Sequence, residues 1–445
     1  MLPYKLDISS PLGMLIRLYW FGEALSLKET SAVFPAEILD GMLACGMLCG
    51  EHESVSPQCM LTHFGELLLA CDSVRRAQTG SIADLVLGVS TPTSVLANCL
   101  IHLPNADVLD LGAGCGTLAL TASRFARTVT AADINARALA FTEFNAALNG
   151  AGDIGTRCGD RFQAVPNQRF DLIVCNPPFF LTPNPRLLYT ENPDELDSFV
   201  EGLAGTAPAF LKEHGFFQML CEWVEFQTER WPNRLKKWVE HSGCDVLVLK
   251  AYEITPANYV LKRAAESASL CGETSEGTLV EHIEYFKQRN VEKIIGGLVT
   301  MRRREGRNWF LQEEMEDAPT EPAGALLLER FCAQDVLASM DDPDLLPAKP
   351  RLSKGVCLVQ EAVQQNRAWK ARTIYLERRA GLIRRLALDS TAADLVAKFD
   401  GLQPLNELIN AAAKQNKWPK REAVDNCLRL VRKLASLGLI GFDPG

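Results

Sequence analysis

Long apolar runs are missing from this 445-residue sequence. No stretch approaches the roughly 20 apolar residues that a spanning helix needs, so no membrane helix is expected. Paired cysteines are missing as well: the 14 cysteines are scattered from Cys45 to Cys427 without one CxxC spacing. That pattern suits free, mostly buried thiols in a reducing compartment. Cys45, Cys49, His52, Cys59 and His63 form the densest Cys/His stretch, but zinc-knuckle spacing is absent and no metal is expected. Cys45 and Cys49 read instead as packing positions at i,i+4 of an apolar helix. Only six histidines occur, none with a partner at triad or ligand spacing. Positive charge is not in surplus, with 46 Lys+Arg against 55 Asp+Glu and a net charge of −9. Bulk electrostatics of the whole chain therefore argue against a nucleic-acid partner, although local basic patches remain open. No basic leader precedes a small-residue cleavage site, and Arg17 and Glu23 interrupt the first apolar stretch, so a cytoplasmic chain is expected. Internal repeats and low-complexity tracts are also absent. The 47% hydrophobic, 23% charged and 8% aromatic content exclude a disordered or collagen-like chain.

Four regions separate by pattern. Residues 1–79 predict a small winged-helix-like domain of three short helices and a small hairpin: helices near Leu15–Gly22, Leu27–Val33 and from Pro35, then Met47-Leu48 leading into a polar turn at Gly50–Ser54 and a strand-like stretch at Met60–Leu69. This region is not basic, so a packing role is favoured there over nucleic-acid binding. Residues 80–310 alternate strand and helix signals, the mark of an α/β domain with a parallel sheet. Val108–Leu111, Val129–Ile134, Leu172–Cys175, Phe216–Cys221, Val246–Leu249 and Lys293–Met301 read as strands, with helices at Ala136–Leu148 and Leu235–His241. Residues 311–350 are acidic and proline-bearing (QEEMEDAPTEPAG, then DDPDLLPAKP) and read as a linker or irregular stretch. Residues 351–445 predict a second winged-helix-like domain, with Leu405, Leu408 and Ile409 on one helix face and Val424 to Leu437 on another. Residues 401–445 hold seven Lys/Arg against four Asp/Glu, opposite in sign to the whole.

The chemistry concentrates between residues 108 and 180. Val108–Gly116 (VLDLGAGCG) is an apolar strand running into Gly112-x-Gly114-x-Gly116 and then a helix. Glycines at such a turn let the backbone approach a ligand without interference from Cβ. Alone, the pattern is shared with dinucleotide-binding folds and with plain strand–helix turns. Asp133 ends the second strand, 21 residues after Gly112, where a carboxylate can accept hydrogen bonds from two ribose hydroxyls. Gly159-Asp160 closes the third strand. Asp160 there suits an adenine amino group, with Arg161 or Phe162 flanking the ring, or else a surface turn.

The decisive element is Val174–Phe180 (VCNPPFF) after the fourth strand. Consecutive prolines fix φ and supply no N–H donors, which leaves the Asn176 side-chain oxygen and backbone carbonyls as acceptors. Asn176 Oδ1 and the Pro177 carbonyl can take both protons of a planar NH2 group and turn its lone pair toward an electrophile. Phe179 or Phe180 can stack on the flat group. Positioning of this kind contributes up to about 7–11 kcal/mol in favourable cases.

At these residues, over roughly residues 85–250, the sequence resembles class I S-adenosylmethionine-dependent methyltransferases of the HemK-like, methyltransferase small domain group. The resemblance implies a Rossmann-like core with a seven-stranded sheet, flanked here by the two small modules. It implies S-adenosyl-L-methionine as cofactor. Gly112, Gly114 and Gly116 would form its loop, with Asp110 near its amino-acid end, Asp133 on the ribose and Asp160 on the adenine side. Asn176-Pro177-Pro178-Phe179 resembles the group's catalytic Asn-Pro-Pro-aromatic tetrapeptide, and Leu87–Ser94 (LGVSTPTS) the segment over the methyl group. Methyl transfer to a planar amide or amino nitrogen is implied. Protein-glutamine methyltransferases acting on release factors usually have Tyr where Phe179 stands, and several RNA guanine and adenine N-methyltransferases have Phe. The continuation Phe180-Leu-Thr-Pro183 points back to a release-factor branch. A release-factor-like protein glutamine therefore ranks first as substrate, an RNA base second, and a non-catalytic scaffold between two winged helices last.

Other conspicuous residues read as structural. Trp223, Trp231 and Trp238 are spaced for one buried helix face rather than a base-stacking platform. Arg302–Arg304 with Arg307 read as a strand end. Cys175 would need an activating base to serve as a nucleophile, and none is evident.

Overall fold

The computed structural model describes residues 7–73, 84–185, 191–271, 276–379, 381–382 and 384–442. The chain divides into two compact units, Met1–Ala97 with His102–Glu314, and Asn98–Ile101 with Met315–Gly445. The boundary expected at 79/80 lies outside the described residues.

The first unit opens with helices α1 (Pro11–Tyr19), α2 (Leu27–Val33) and α3 (Ala36–Ala44). Strands β1 (Leu25–Ser26), β2 (Leu48–Glu51) and β3 (Ser54–Pro57) form a sheet in the order β1-β3-β2. Local chemistry sets the helix starts: Pro11 stands in the first turn of α1, and Ser26 and Glu29 make a capping box on α2. Leu18, Leu25, Leu48 and Val55 form the small core. The helix expected to carry both Cys45 and Cys49 ends at Ala44, so Cys45 caps it and Cys49 lies in β2. Gly46, at φ 77°, turns the chain between them. Met60–Leu69 is likewise not one strand but a hairpin of β4 (Met60–Phe64) and β5 (Leu67–Cys71), broken at Gly65.

That hairpin packs on the α/β core of the same unit. Helix α4 (Thr91–Asn98) precedes β6 (Asp107–Leu111), and α5 (Thr117–Ser123), β7 (Thr128–Asp133), α6 (Ala136–Leu148), β8 (Ile154–Cys158) and β9 (Phe170–Cys175) follow in alternation. Then come α7 (Ser198–Thr206), β10 (Leu211–Phe226), α8 (Trp231–Trp238), β11 (Cys244–Ile254), α9 (Pro256–Cys271), α10 (Glu276–Gln288), β12 (Val291–Arg303) and β13 (Phe310–Glu314). The sheet order is β13-β11-β12-β10-β9-β6-β7-β8. Strands β8 through β10 run parallel, whereas β12 is antiparallel to both neighbours. This is the α/β architecture expected from the alternating pattern, extended by an eighth strand. β13 starts at Phe310 and runs into the stretch read as linker; Gln312 and Glu314 are exposed on one side of it, and Glu314 pairs with Lys250 of β11 at 2.9 Å.

The core between sheet and helices contains Leu109, Ile173, Phe217 and Trp223. Trp223 belongs to β10 rather than a helix, while Trp231 and Trp238 lie on α8, and all three are buried. The Trp223 and Trp231 rings stand 5.6 Å apart. Asp245, fully buried on β11, accepts from Arg302 Nη2 at 2.6 Å and Arg304 Nε at 2.7 Å, so the basic tract is a strand-end clasp. No helix among the described residues is long and apolar enough to cross a membrane.

The second unit holds α11 (Gly324–Ser339), α12 (Asp342–Leu345), β14 (Pro350–Leu352), β15 (Val356–Gln365), β16 (Ala368–Arg378) and β17 (Arg384–Leu388). Helices α13 (Ser390–Val396), α14 (Leu405–Asn416) and α15 (Lys420–Ser436) and strand β18 (Ile440–Phe442) complete it. Residues 324–339, expected to be irregular, form a helix whose Leu327 and Phe331 are fully buried. The meander β15-β16-β17 was not expected either. Leu405, Leu408, Ile409, Cys427, Leu428, Val431 and Leu434 pack into one core, along the faces read from the sequence, and β18 pairs with β14.

Candidate active site

The sheet reverses its winding direction between β6 and β9, and a crevice opens there at the strands' C-terminal ends, the usual ligand position in open α/β sheets. Leu111 pairs with both Ala132 and Cys175, so Gly112, Asp133 and Asn176 each follow a paired residue on neighbouring strands. The register thus brings together three elements that are far apart in sequence.

The glycine turn is built by its backbone. Gly112, Gly114 and Gly116 have φ of 78°, 57° and 84°, a region that side-chain-bearing residues rarely adopt. The Gly112 and Ala113 N–H groups donate to the Ala132 carbonyl at 2.8 and 3.1 Å, tying the turn to β7. A Cβ at Gly112 or Gly114 would meet nothing within 4 Å, whereas one at Gly116 would stand 2.9 Å from Thr142 Cγ2. The first two glycines therefore border open space, and the third permits close packing of α6. Thr142 and Asn145 hold the turn from that helix, donating to the Gly114 and Cys115 carbonyls at 3.0 and 2.8 Å.

Two carboxylates flank the turn. Asp110 is fully buried; its Oδ2 accepts from Ala119 N–H at 2.8 Å, and its Oδ1 has no partner. Burial, and after it the charge of Asp133, pushes the Asp110 carboxyl from 3.8 up to about 7. Asp133 accepts from Asn135 N–H at 2.8 Å and Gly114 N–H at 2.9 Å. Burial raises its pKa, and the backbone donors oppose that shift.

Asn176 supplies a second orphaned acceptor. Its Nδ2 donates to Thr93 Oγ1 at 3.1 Å, and its buried Oδ1 has no partner. Thr93 lies on α4, within the segment singled out in the sequence, and its hydroxyl is 2.9 Å from that of Ser90. Pro177 is buried and Pro178 half-buried. Phe179 is sunk in the sheet core, edge-on to Phe180 at 5.2 Å. Phe180 in turn carries the Arg263 guanidinium over one face at 3.3 Å. Neither ring is the open platform expected from the sequence, because tertiary packing claims both.

Asp160 follows β8 beside Asp133, whose carbonyl accepts from Gly159 N–H at 3.1 Å. Asp160 is partly exposed and lies 3.4 Å from Arg161. Phe162, expected beside a ligand ring, stacks instead on Phe210 in the core at 4.5 Å, and Arg161 sits over Phe199 at 4.8 Å. Cys175 is fully buried with its thiol pushed well up, which removes it as a nucleophile.

Sequence reasoning missed a buried group behind Phe180. Glu222 on β10 accepts from Arg263, Tyr252 and Tyr259, the last at 2.6 Å. Tyr259 OH also accepts from Leu181 N–H at 2.9 Å. The one signal was a lone charged residue, Glu222, in the largely apolar stretch Phe216–Val224.

The crevice thus presents backbone next to open space and two buried, unpartnered oxygens about the strand ends. Such a site fits a ligand with a cationic or N–H donor and hydroxyl groups, bound next to a second, planar donor. Residues 88–219 match the methyltransferase small domain family. A release factor glutamine methyltransferase from Xylella fastidiosa is 36% identical over 136 residues, 28% of this chain and 50% of that one. A tRNA1(Val) (adenine(37)-N6)-methyltransferase from Vibrio campbellii is 37% identical over 95 residues, 21% of this chain and 40% of that one. A ribosomal protein L11 methyltransferase from Caldicellulosiruptor bescii is 42% identical over 74 residues, 16% of this chain and 24% of that one. The chain spans about half the length of the release factor methyltransferases it matches. The match to the methyltransferase small domain thus covers residues 88–219, the part of the chain that carries the glycine turn, Asp133 and Asn176 on a mostly parallel α/β sheet.

Proposed function

We propose that this protein is an S-adenosylmethionine-dependent N-methyltransferase acting on a planar amide or amino nitrogen of a macromolecule. The observation that carries the reading is the unpartnered Asn176 Oδ1, held beside the glycine turn by the Thr93 bond. When bound, S-adenosylmethionine supplies a methyl group activated by its sulfonium. Gly112, Gly114 and Gly116 offer it backbone without Cβ obstruction. Asp110 Oδ1 is an acceptor for its ammonium group, Asp133 for its ribose and Asp160 for its adenine side. Asn176 Oδ1 and the Pro177 carbonyl accept the two protons of the substrate NH2, so that its lone pair faces the methyl donor. Pro178 and Phe179 stiffen that turn. Orientation lowers the barrier without a covalent enzyme intermediate.

A protein glutamine, as in the named activity of the release factor relatives, is the first choice of substrate. An RNA guanine or adenine is the second, supported by Phe179 at the fourth motif position and by the similarity to an adenine methyltransferase of tRNA. The two flanking modules are proposed to be winged-helix-like, the second one elaborated by the β15-β16-β17 meander. Calorimetric titration with S-adenosylmethionine tests the cofactor; no heat with the wild type, or undiminished heat with Asp133→Ala, removes it. Tritiated methyl transfer into extract of a deletion strain tests the substrate. Label sensitive to protease supports glutamine, and label sensitive to RNase supports the base.

A further inference from the structure

The second unit carries a feature that methyl transfer does not use. Residues 351–385 hold nine Lys/Arg against two Asp/Glu, a surplus of seven positive charges in a chain whose net charge is −9. This segment is mostly the hairpin β15–β16. Its base is anchored: Leu376 is buried in the unit's core, and Val356 and Ile374 pack against it. Its outer half is not. From Gln360 to Lys370 every residue is exposed except Val363, which is half-buried. Two-stranded ribbons without a covered face are marginal in water, so this one extends beyond what the fold requires.

The tip has three further properties. Asn366 and Arg367 connect the strands with φ of 51° and 60°, the two-residue turn that favours Asn-Gly. An arginine at that second position is a local conformational penalty, which draws attention to its charge. Trp369, two residues on, is 75% exposed, the most exposed large hydrophobic side chain among the described residues. Lys370 and Arg372 follow, both exposed, with the register shifting between Thr373 and Ala371 so that Arg372 stands at an irregularity of the ladder. Lysines and arginines alone would serve to guard a strand edge against aggregation. An open tryptophan among them works against that purpose.

We propose that the outer half of the β15–β16 hairpin binds an unpaired polynucleotide strand, with Trp369 stacking on a base and Arg367, Lys370 and Arg372 neutralising phosphates. Every base offers a flat face to an exposed indole, and cations two or three residues apart on a ribbon follow a phosphate chain. An acidic polypeptide would satisfy the charges but has no group for the tryptophan. The site belongs to the second unit by itself and is independent of the methyl-transfer reading.

Fluorescence anisotropy of a labelled 20-nucleotide poly-uridylate with the full-length protein, without S-adenosylmethionine, tests this. Wild type should bind at 50 mM salt, with RNA and DNA versions of the strand separating the two sugar chemistries. Trp369→Ala should weaken binding roughly tenfold. The triple variant R367Q/K370Q/R372Q should reduce the slope of log affinity against log salt by about 2, at roughly 0.7 for each phosphate no longer neutralised. Arg367→Gly should weaken binding while leaving melting temperature unchanged or raised, since glycine relieves the turn; this separates a missing charge from a failure to fold. Absence of binding at 50 mM salt overturns the proposal, as do variants that bind like wild type or poly-glutamate that competes as well as unlabelled poly-uridylate. None of these outcomes touches the cofactor titration, so the two readings fail separately.

Discussion

Asn176 Nδ2 donates to Thr93 Oγ1 across 3.1 Å, and this bond engages the nitrogen end of the amide while its buried oxygen has no partner. With the nitrogen engaged, the oxygen is the acceptor proposed to meet a substrate N–H. Asn176→Ala should therefore keep S-adenosylmethionine affinity and lose about 10²–10³ in kcat, because the acceptor acts only on the reacting group. Thr93→Val leaves the acceptor but frees the amide to turn. One neutral hydrogen bond corresponds to about 0.5–1.5 kcal/mol, so kcat should fall severalfold to about tenfold. Calorimetry and initial rates on the same preparations check both, and full activity of Asn176→Ala would sink the proposed role.

The glycines of the turn should separate by phenotype. At Gly116 an added Cβ meets Thr142 at 2.9 Å in a backbone with φ 84°, so Gly116→Ala should destabilise by roughly 2–4 kcal/mol. At Gly114 the space is empty and φ is 57°, so Gly114→Ala should cost only about 1–2 kcal/mol of stability. Its methyl group enters the open side of the turn, however, and cofactor affinity should drop by at least tenfold. Scanning calorimetry paired with cofactor titration distinguishes the two; equal stability losses at both positions would contradict the assignment.

Asp110 makes stability depend on pH. Its folded pKa, about 7, lies above the ordinary 3.8, mainly through burial. The folded chain therefore retains a proton that the unfolded chain gives up. That contribution is fully present below about pH 4 and is lost as pH rises through about 7. Asp110→Asn removes the buried charge yet can still accept from Ala119 N–H. It should be more stable than wild type at pH 8, by at most ~4 kcal/mol for about three pH units, and the gap should close toward pH 5. Denaturant melts at the two pH values measure it, and a gap that does not change with pH would contradict burial of the carboxylate as its cause.

The turns were legible in the sequence because their chemistry is local. Gly112-x-Gly114-x-Gly116 and Asn176-Pro177-Pro178 each follow an apolar strand and Asp133 ends one, and strand register alone brings them to one crevice. The misreadings arose where tertiary burial overrides neighbours in sequence. Phe162 follows a candidate ligand residue but stacks on Phe210, 48 residues away in the chain. Trp223 shares a spacing with two helical tryptophans but lies on β10, because a strand buried on both faces shows no period to separate it from a helix. β13 and α11 were hidden by composition: FLQEE alternates on a sheet edge, and helix α11 follows directly on a Pro-rich stretch. The β15–β16 ribbon lacked the usual strand signal, since both of its outer faces are polar.

Arg263 extends the candidate site beyond what any motif marks. Its guanidinium covers Phe180 at 3.3 Å, donates to Glu266 at 2.6 Å and is paired with buried Glu222, while Tyr259 links Glu222 to the Leu181 N–H. The residues after Asn176-Pro-Pro-Phe are thereby tied to β10 through one charge pair. Glu222→Gln removes the buried partner of Arg263 and leaves only the more exposed Glu266 as counter-charge, and should cost about 2–4 kcal/mol. Arg263→Lys keeps the charge but lacks the flat fork that both stacks on the ring and meets the carboxylate. Its stability loss should be smaller, about 1–2 kcal/mol. If Arg263 acts by fixing the turn, Arg263→Lys should lower kcat severalfold, raise KM for the methyl acceptor and leave cofactor affinity intact. A purely structural residue would lower the melting temperature without changing kcat of the folded fraction. Steady-state kinetics over acceptor concentration, with cofactor affinity measured alongside, decides between the two, and unchanged kcat and KM would exclude the positioning role.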